Sequence, residues 1–324
     1  MADVRTRRFG RLGWEVSEIG YGMWGMGGWS GSDDEESARS IDRAIALGCN
    51  FFDTAFAYGM GKSEKLLGDA LKRHAGGRIY VATKVPPKNG KWPGRADTPV
   101  SDVYPADHII EFTEKSLENL RRPSLDLQQL HVWSDAWADD EGWKRAAADL
   151  KRQKLIRGFG ISVNRWQPSN VLKALRTGLV DSVQVVYNIF DQSPEDQLFP
   201  VCRELDIAVI ARVPFDEGSL TGTLTRDSKW PETDWRSIYF TPENLAATLA
   251  RVDRLKGILP GGMDLPELAL RFILAEPTVS TVIPGMRKTA HVERNLKAGE
   301  GEGLSAGMIQ ALRTHRWDRS VEIP

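Results

Sequence analysis

Four side chains with complementary chemistry follow one another along the chain, each in or beside an apolar segment. They are an acid, a phenol, an amine and an imidazole: Asp53, Tyr58, Lys84 and His131. This set suits reduction of a carbonyl group by an external hydride donor, because negative charge develops on the carbonyl oxygen and needs a proton and an electrostatic partner. The pattern therefore predicts a proton-donor site with Tyr58 at its centre.

Each of the four residues has a distinct part in that chemistry. A free phenol has a pKa near 10 and is a slow acid at neutral pH, so a neighbouring Lys84 ammonium would help by lowering that pKa. Asp53 would keep Lys84 charged in a pocket that excludes water, and His131 would hydrogen-bond the substrate oxygen. Taken singly, Asp53 also fits a capping acid, Lys84 a solvated strand end, and His131 a core histidine. Their order at successive strand ends favours the chemical interpretation.

Eight short apolar segments recur along the chain, and most are followed by a segment with helical periodicity. Many are apolar throughout, which is typical of parallel strands covered on both faces. Two architectures satisfy this alternation, a closed barrel and an open doubly wound sheet. The predicted strands are Ser17–Trp24, Asn50–Thr54, Ile79–Val85, Leu125–Val132, Ile156–Val163, Ser182–Asn188, Ala208–Val213 and Val279–Pro284.

Two long connections bear on that choice. The segments Pro86–Pro105 and Pro214–Thr241 both follow predicted strands, and loops of this length are usually functional. In a barrel they would lie at the C-terminal face, where active sites are built. A hairpin candidate at Arg7–Phe9, with a turn at 10–13, would plug the bottom. We predict an α/β fold with one domain over residues 1–324, a (β/α)₈ TIM barrel with an N-terminal β-hairpin plug.

The segment Gly20–Gly25 matches the pattern G-x-G-x-x-G of dinucleotide-binding folds. That pattern is informative only when a helix begins at the glycines. Here the chain continues through Met26–Gly31, which is a poor helix, and the next helix is predicted to start near Ser32. We interpret the glycines as a flexible first loop that lets backbone approach a ligand closely.

Composition narrows the classes of partner. The 324 residues carry a formal net charge of −1, which gives no electrostatic case for a nucleic-acid or membrane partner. Cys49 and Cys202 are too few for a disulfide framework and lack metal-ligand spacing, so no metal site is predicted. The segment Met1–Arg11 is charged and has no apolar core, which argues against a signal peptide. No apolar run approaches the roughly 20 residues that span a bilayer, and we expect a cytoplasmic location.

From about Arg8 to Leu296 the chain resembles the aldo-keto reductases, in particular a bacterial NADPH-dependent branch. Asp53, Tyr58, Lys84 and His131 match that family's catalytic tetrad in order and approximate spacing. The most specific segments are Asn50–Leu71, Leu125–Trp133 and Val282–Leu296. The resemblance implies a (β/α)₈ barrel, a small-molecule carbonyl substrate, and NADPH or NADH bound extended without a Rossmann fold.

The resemblance also implies residues for the nicotinamide and pyrophosphate. Ser162 and Gln184 match the carboxamide ligands, although Val163 stands where the family usually has an asparagine. Arg212 stands where the family often stacks a tyrosine under the nicotinamide. The residues that would cover the pyrophosphate are Pro214, Phe215, Gly218 and Leu220.

The adenosine end is implied to lie after the eighth strand, where a helix begins. Arg287 and Lys288 at that helix start would suit the 2′-phosphate of NADPH, which favours NADPH over NADH. Asn295 matches the adenine-contacting asparagine, preceded here by Arg294 where the family commonly has glutamate. The remaining residues assigned to the cofactor are Gly285, His291 and Trp24.

Several alternatives remain open. Some proteins of this fold are auxiliary subunits that bind a nicotinamide cofactor and regulate a partner, such as the potassium-channel β type, and these can retain the tetrad. A cofactor-free barrel hydrolase or lyase is a further alternative.

Trp24, Trp92 and Trp133 fall at or beyond strand ends and would wall an apolar substrate pocket. Sugars, ketones and simple aldehydes are all compatible substrates, and the oligomeric state is left open.

Overall fold

A computed structural model of the chain describes residues 4–28, 32–232 and 234–319. Residues 29–31 of the predicted flexible first loop, and the ends of the predicted domain at 1–3 and 320–324, lie outside the described residues.

A β-hairpin opens the described chain. Strands β1 (Thr6–Phe9) and β2 (Trp14–Ser17) pair antiparallel, and Gly13 in the turn between them adopts a φ of 66°. Phe9, Trp14 and Val16 pack against side chains near the N-terminal ends of the parallel strands described next. This confirms the hairpin plug that the sequence predicts.

The main sheet has eight parallel strands in sequential order. Their bounds are β3 (Tyr21–Gly22), β4 (Phe51–Asp53), β5 (Tyr80–Val85), β6 (Leu125–Leu130), β7 (Ile156–Ser162), β8 (Ser182–Val186), β9 (Ala208–Arg212) and β10 (Val279–Val282). All eight lie within the predicted segments. The predicted first strand is much shorter in the structure, because Ser17 belongs to the hairpin.

The sheet closes on itself. Ile19 and Gly22 bridge in parallel to Val282 and Gly285. The Gly20 N–H donates to the Val282 carbonyl at 2.8 Å, which joins the first and last strands. The fold is therefore the (β/α)₈ barrel, and the open-sheet alternative is excluded. The glycines at 20–25 lead into a 3₁₀ helix at Trp24–Met26, and the first α-helix begins only at Asp34.

Helices surround the barrel. They are α1 (Asp34–Ala46), α2 (Lys62–Arg73), α3 (Val100–Val103), α4 (Ala106–Leu120), α5 (Glu141–Arg152), α6 (Leu172–Leu175), α7 (Leu198–Leu205), α8 (Trp235–Tyr239), α9 (Pro242–Lys256), α10 (Leu265–Leu274), α11 (Thr289–Lys297) and α12 (Ala306–Arg313).

Local sequence explains where these helices begin. The Asp33 carboxylate accepts the backbone N–H groups of Glu35 and Glu36 and caps α1. The Thr241 hydroxyl caps α9, and Pro242 fits its first turn. The two long loops contain short helices of their own, α3 in one and α8 in the other. Both loops follow strands and lie at the C-terminal face of the barrel.

Candidate active site

The barrel interior is apolar at the hairpin end and polar at the C-terminal mouth. Strand side chains alternate between two faces, so residues two positions apart on one strand both point inward. At the hairpin end the inward side chains include Phe51, Ala82, Leu127 and Ile210. Two positions further along the same strands stand Asp53, Lys84, Gln129 and Arg212. The strands therefore bring these polar groups together at the C-terminal mouth.

Lys84 contacts both the predicted acid and the predicted phenol at this mouth. Its ammonium is fully buried and donates to Asp53 Oδ1 at 2.5 Å and to the Thr54 carbonyl at 2.8 Å. A third, longer contact reaches Tyr58 Oη at 3.5 Å. An ammonium has three N–H donors, so each of the three has an acceptor here. The structure brings the predicted acid, amine and phenol together.

Asp53 is held by two amides as well as by Lys84. Its Oδ2 accepts from Gln184 Nε2 at 2.7 Å and from Gln129 Nε2 at 3.2 Å. Both oxygens of the buried carboxylate are thus satisfied, which a buried charge requires. Gln129 is not among the site residues predicted from sequence. It lies on the same strand face as His131, two residues earlier, and this period-two spacing is the signal that identifies it.

Tyr58 lies in the loop after β4 and is partly exposed, so a substrate can reach it. Burial raises the pKa of its phenol above the usual value of 10, and the Lys84 charge opposes part of that rise. The lowering by Lys84 that the sequence predicts is present, but burial outweighs it and the net pKa of the phenol is raised. Desolvation outweighs the ammonium because the contact is long and the phenol is closely surrounded.

His131 lies between two aromatic rings. Its ring centroid is 5.6 Å from that of Tyr58 and 4.5 Å from that of Trp92, both edge to face. Burial lowers the pKa of His131 well below 6.5, and the charges of Lys84 and Arg212 lower it further. The imidazole is therefore neutral at physiological pH. Among the described residues, its Nδ1 has no hydrogen-bond partner.

Arg212 ends β9 and faces the same mouth. One of its terminal nitrogens donates to the Val163 carbonyl at 3.0 Å, while its Nε is buried without a partner among the described residues. Burial lowers the pKa of Arg212 to about 10, and the nearby Arg165 contributes. The guanidinium remains charged at neutral pH and adds positive charge near Tyr58.

The residues predicted to hold the nicotinamide are neighbours in the sheet. Ser162 on β7 is in register with Gln184 on β8, and both are buried. The Gln184 side-chain nitrogen is engaged by Asp53, which leaves its carbonyl oxygen as the group for a ligand. Asn164, one residue after Val163, instead exchanges hydrogen bonds with the backbone of Gly94 in the loop after β5.

The predicted pyrophosphate cover forms a tight turn after β9. Gly218 has a φ of 104° and open space on its Cβ side. Pro214 is buried and Phe215 is partly buried against the core. Leu220 is fully buried in the core, so only its backbone can face a ligand.

The predicted adenosine end holds a contact that was not predicted from sequence. At the start of α11, the Thr289 N–H and hydroxyl both donate to the Glu36 carboxylate, at 3.0 and 3.2 Å. Glu36 belongs to α1, so the contact joins two helices that are far apart in sequence. A carboxylate thus occupies the helix start at which Arg287 and Lys288 are predicted to receive a phosphate. No local pattern reveals it.

Other residues at this end agree with an adenosine ligand. Partial burial lowers the pKa of His291 below 6.5, and the charges of Arg294, Lys288 and Arg287 add to the effect. The region is therefore cationic despite Glu36. Asn295 is buried, and its Oδ1 has no partner in the described part of the chain. That oxygen is free to accept from an amino group such as that of adenine.

The residues present fit a nicotinamide dinucleotide. Among the described residues, Asn295 Oδ1 lacks a donor, Arg212 Nε lacks an acceptor, and no atom lies within 4 Å of the place that a Cβ would take on Gly218 or Gly285. Trp24 lies beside the mouth in the first loop and is 46% exposed. These groups run from the tetrad toward the start of α11.

The predicted tryptophan wall is partly wrong. Trp133 is fully buried and packs edge to face against Trp137 and Trp143, so it belongs to the core. Trp92 is 47% exposed and touches His131, as a wall residue would. Met60 and Ile238, also in loops after strands, are exposed too. The loops that surround the mouth therefore carry apolar groups.

Within residues 4–28, 32–232 and 234–319, no cluster of three or more acidic, histidine or cysteine side chains could hold a metal ion. No helix in that same part of the chain has the length and apolar character needed to cross a membrane.

Comparison with known proteins agrees with this geometry. A profile of the aldo/keto reductase family matches residues 18–316. The chain is 30% identical over 315 residues to the uncharacterized oxidoreductase YqkF of Bacillus subtilis, covering 96% of each protein. It is 27% identical to the NADH-specific methylglyoxal reductase of Escherichia coli over 295 residues, covering 87% of this chain and 90% of that protein. The holo form of aldo-keto reductase AKR11C1 from Bacillus halodurans superposes with a TM-score of 0.78 at 28% identity, covering 98% of each chain.

Proposed function

The chain belongs to the aldo/keto reductase family of NAD(P)H-dependent oxidoreductases, and on that premise we propose that it reduces an aldehyde or ketone to an alcohol. The observation that carries the proposal is the contact set of Lys84, whose ammonium reaches both Asp53 and Tyr58 at an open mouth. In this proposal Tyr58 is the general acid.

The nicotinamide, when bound, supplies the hydride that reduces the carbonyl carbon. Tyr58 supplies the proton from Oη to the carbonyl oxygen. Its raised pKa keeps that proton in place at neutral pH. As the proton leaves, the developing phenolate is stabilised by Lys84, whose own charge Asp53 balances.

His131 acts as a neutral group. Because its pKa lies well below 6.5, it donates one hydrogen bond from the ring nitrogen that carries the proton and does not compete with Tyr58 as an acid. Arg212 adds a fixed positive charge where negative charge develops. Removal of water by the surrounding rings strengthens both interactions.

For the cofactor we propose contacts from five parts of the chain. Ser162 and Gln184 hold the carboxamide, with Arg212 beside the nicotinamide and Trp24 at the first loop. Residues 214–220 cover the pyrophosphate. Gly285, Arg287, Lys288, His291 and Asn295 receive the adenosine end. NADPH is favoured by the cations there, and NADH is expected to bind as well because Glu36 opposes a 2′-phosphate.

The substrate in this proposal is a small molecule that enters between Trp92 and His131.

We further propose that residues 1–324 form one domain and that the protein acts in the cytoplasm. The buried free thiols of Cys49 and Cys202 are consistent with a reducing compartment.

The test is oxidation of NADPH and of NADH, followed by absorbance, with a panel that contains an aromatic aldehyde, a dicarbonyl, an aldose and an aliphatic ketone. Turnover of at least one carbonyl supports the reductase. Tight binding of NADPH with turnover of none would instead support the auxiliary-subunit alternative. Failure to bind either nucleotide in a fluorescence titration would contradict both.

A further inference from the structure

The chain returns to the barrel mouth after its last helix. The Trp317 N–H donates to the Phe190 carbonyl at 2.8 Å, and its ring packs against that of Phe190. Two residues later, the Arg319 side chain is 2% exposed. The C-terminal segment at 314–319 is therefore docked on the loop that follows β8.

Arg319 forms ion pairs with carboxylates from two different loops. It donates to Asp191 Oδ2 at 2.6 Å and to Asp216 Oδ1 at 2.8 Å. Asp191 follows β8 and Asp216 follows β9, and both are buried. A third donation reaches the Tyr239 hydroxyl. A guanidinium can join these acceptors because its donors form a rigid planar fork.

Asp216 belongs to a turn with an unusual backbone. Val213, Asp216 and Glu217 have φ values of 56°, 44° and 57°, and Gly218 follows at 104°. A β-branched residue in that region is a steric outlier, and such conformations persist only where surrounding contacts hold them. The contacts here come from Asn188, which donates to the Val213 carbonyl at 3.0 Å, from Tyr239, and from Arg319.

The same turn borders the reaction site. It begins directly after Arg212, whose charge acts on Tyr58. Glu217 pairs with Arg165, and the Arg165 guanidinium stands 5.1 Å from the centroid of the Tyr239 ring. This turn is also the segment proposed to cover the pyrophosphate. A shift of the turn would therefore displace charged groups at the mouth and alter that cover.

We propose that Arg319 is a positioning residue for cofactor binding, which ties the C-terminal segment to Asp191 and Asp216 and thereby holds the turn at 213–218 in its binding conformation. The inference rests on the proposed function, because it assigns this turn to the cofactor. Arg319 does not touch the reacting atoms. It acts through Asp216, so its loss weakens cofactor binding more than it slows the chemical step.

The experiment compares four variants by Trp fluorescence titration with NADPH and by stopped-flow release of the nucleotide. Arg319→Met removes the positive charge. Arg319→Lys keeps a positive charge but lacks the planar guanidinium that joins the two acids. Because Arg319→Met leaves two buried acids without a counter-charge, Asp216→Asn/Arg319→Met removes one of the two charges and limits the loss of stability. Arg316→Met is the matched control, since Arg316 lies on the same segment but pairs at the surface with Asp196 and Asp318.

We expect Arg319→Met and the double variant to raise the Kd for NADPH about tenfold or more, mainly through faster release. The kcat at saturating cofactor should change less than threefold. Arg319→Lys should recover part of the affinity, and the control should match the wild type. A folded double variant that binds NADPH within about twofold of the wild type would overturn the inference.

Hydrogen exchange of the wild-type protein provides a second test that needs no variant. Saturation with NADPH should increase protection of 213–221 and of 314–319 together. Protection confined to 213–221 would overturn the role of Arg319 while leaving the proposed function intact. A wild-type protein that binds neither nucleotide would overturn the proposed function, and this inference with it.

Discussion

The proposed proton-donor end and the proposed adenosine end of the mouth are built from different kinds of contact. At the proposed proton-donor end, Asp53 and Lys84 lie near the ends of adjacent strands and are held by buried or partly buried hydrogen bonds of 2.5 to 3.5 Å. At the adenosine end, Glu36 reaches the first turn of α11 from another helix, and its side chain is 29% exposed.

This difference separates what the fold fixes from what it leaves adjustable. Parallel strand ends hold side chains rigidly, so the tetrad cannot change without loss of a buried charge pair. Contacts between surface helices tolerate substitution, so cofactor preference can change without disturbing the barrel. The comparison predicts large, all-or-none effects at the first end and graded effects at the second.

The largest effect is expected for Tyr58→Phe. It removes the proton donor and keeps the ring, so kcat for carbonyl reduction should fall by about 10²–10⁴-fold. The Kd for NADPH should stay within about twofold of the wild type. Tyr80→Phe is the control, because Tyr80 stacks on Trp14 at the opposite end of the barrel. Substantial residual turnover in Tyr58→Phe would contradict the assigned role.

Lys84→Met should destabilise the protein as well as inactivate it. It leaves the Asp53 carboxylate buried without a counter-charge, which costs about 3–5 kcal/mol in the free energy of unfolding. Urea unfolding measures this loss, and Asp53→Asn/Lys84→Met should recover part of it. Lys173→Met breaks an exposed pair with Asp139, whose charges are screened by solvent, and should cause only a small loss of stability. A loss that small in Lys84→Met would show that the buried pair is not what holds this end together.

Glu36→Gln should produce a graded shift in cofactor preference. The amide still accepts from Thr289 but no longer repels a 2′-phosphate, so the ratio of NADPH to NADH affinity should rise by about threefold to tenfold. Glu35→Gln is the matched control, since Glu35 is 89% exposed and pairs with Arg39 on its own helix. Equal ratios in both variants would place the 2′-position elsewhere.

The smallest expected effect is that of pH on kcat/KM. Burial lowers the pKa of His131 below 6.5 and raises that of Tyr58 above 10, so neither group titrates between about pH 7 and 9. The profile should be flat there with respect to both. His131 takes up protons more readily in the unfolded chain than in the folded one, so its contribution to stability is lost as pH falls below 6.5. A tenfold change in kcat/KM centred near 6.5 would contradict a neutral buried His131.

The same contrast explains how much could be predicted from sequence. The eight strands and the positions of Asp53, Lys84 and His131 follow from apolar runs and from the residues that end them. The contacts of Glu36 with Thr289 and of Arg319 with Asp191 and Asp216 could not be predicted, because they join segments more than 100 residues apart that carry no shared local pattern. Trp133 was misassigned because a position at a strand end does not say whether a side chain faces the mouth or the helical layer.

The most direct test of the central claim follows the hydride itself. The wild-type protein is incubated with NADPH deuterated at the transferring carbon and with a carbonyl that it turns over, and the alcohol is analysed by mass spectrometry. The account predicts one deuterium on the carbinol carbon for each NADPH oxidised, and loss of this product in Tyr58→Phe. NADPH consumption without deuterium in the alcohol, or an equal yield of labelled alcohol from Tyr58→Phe, would contradict it.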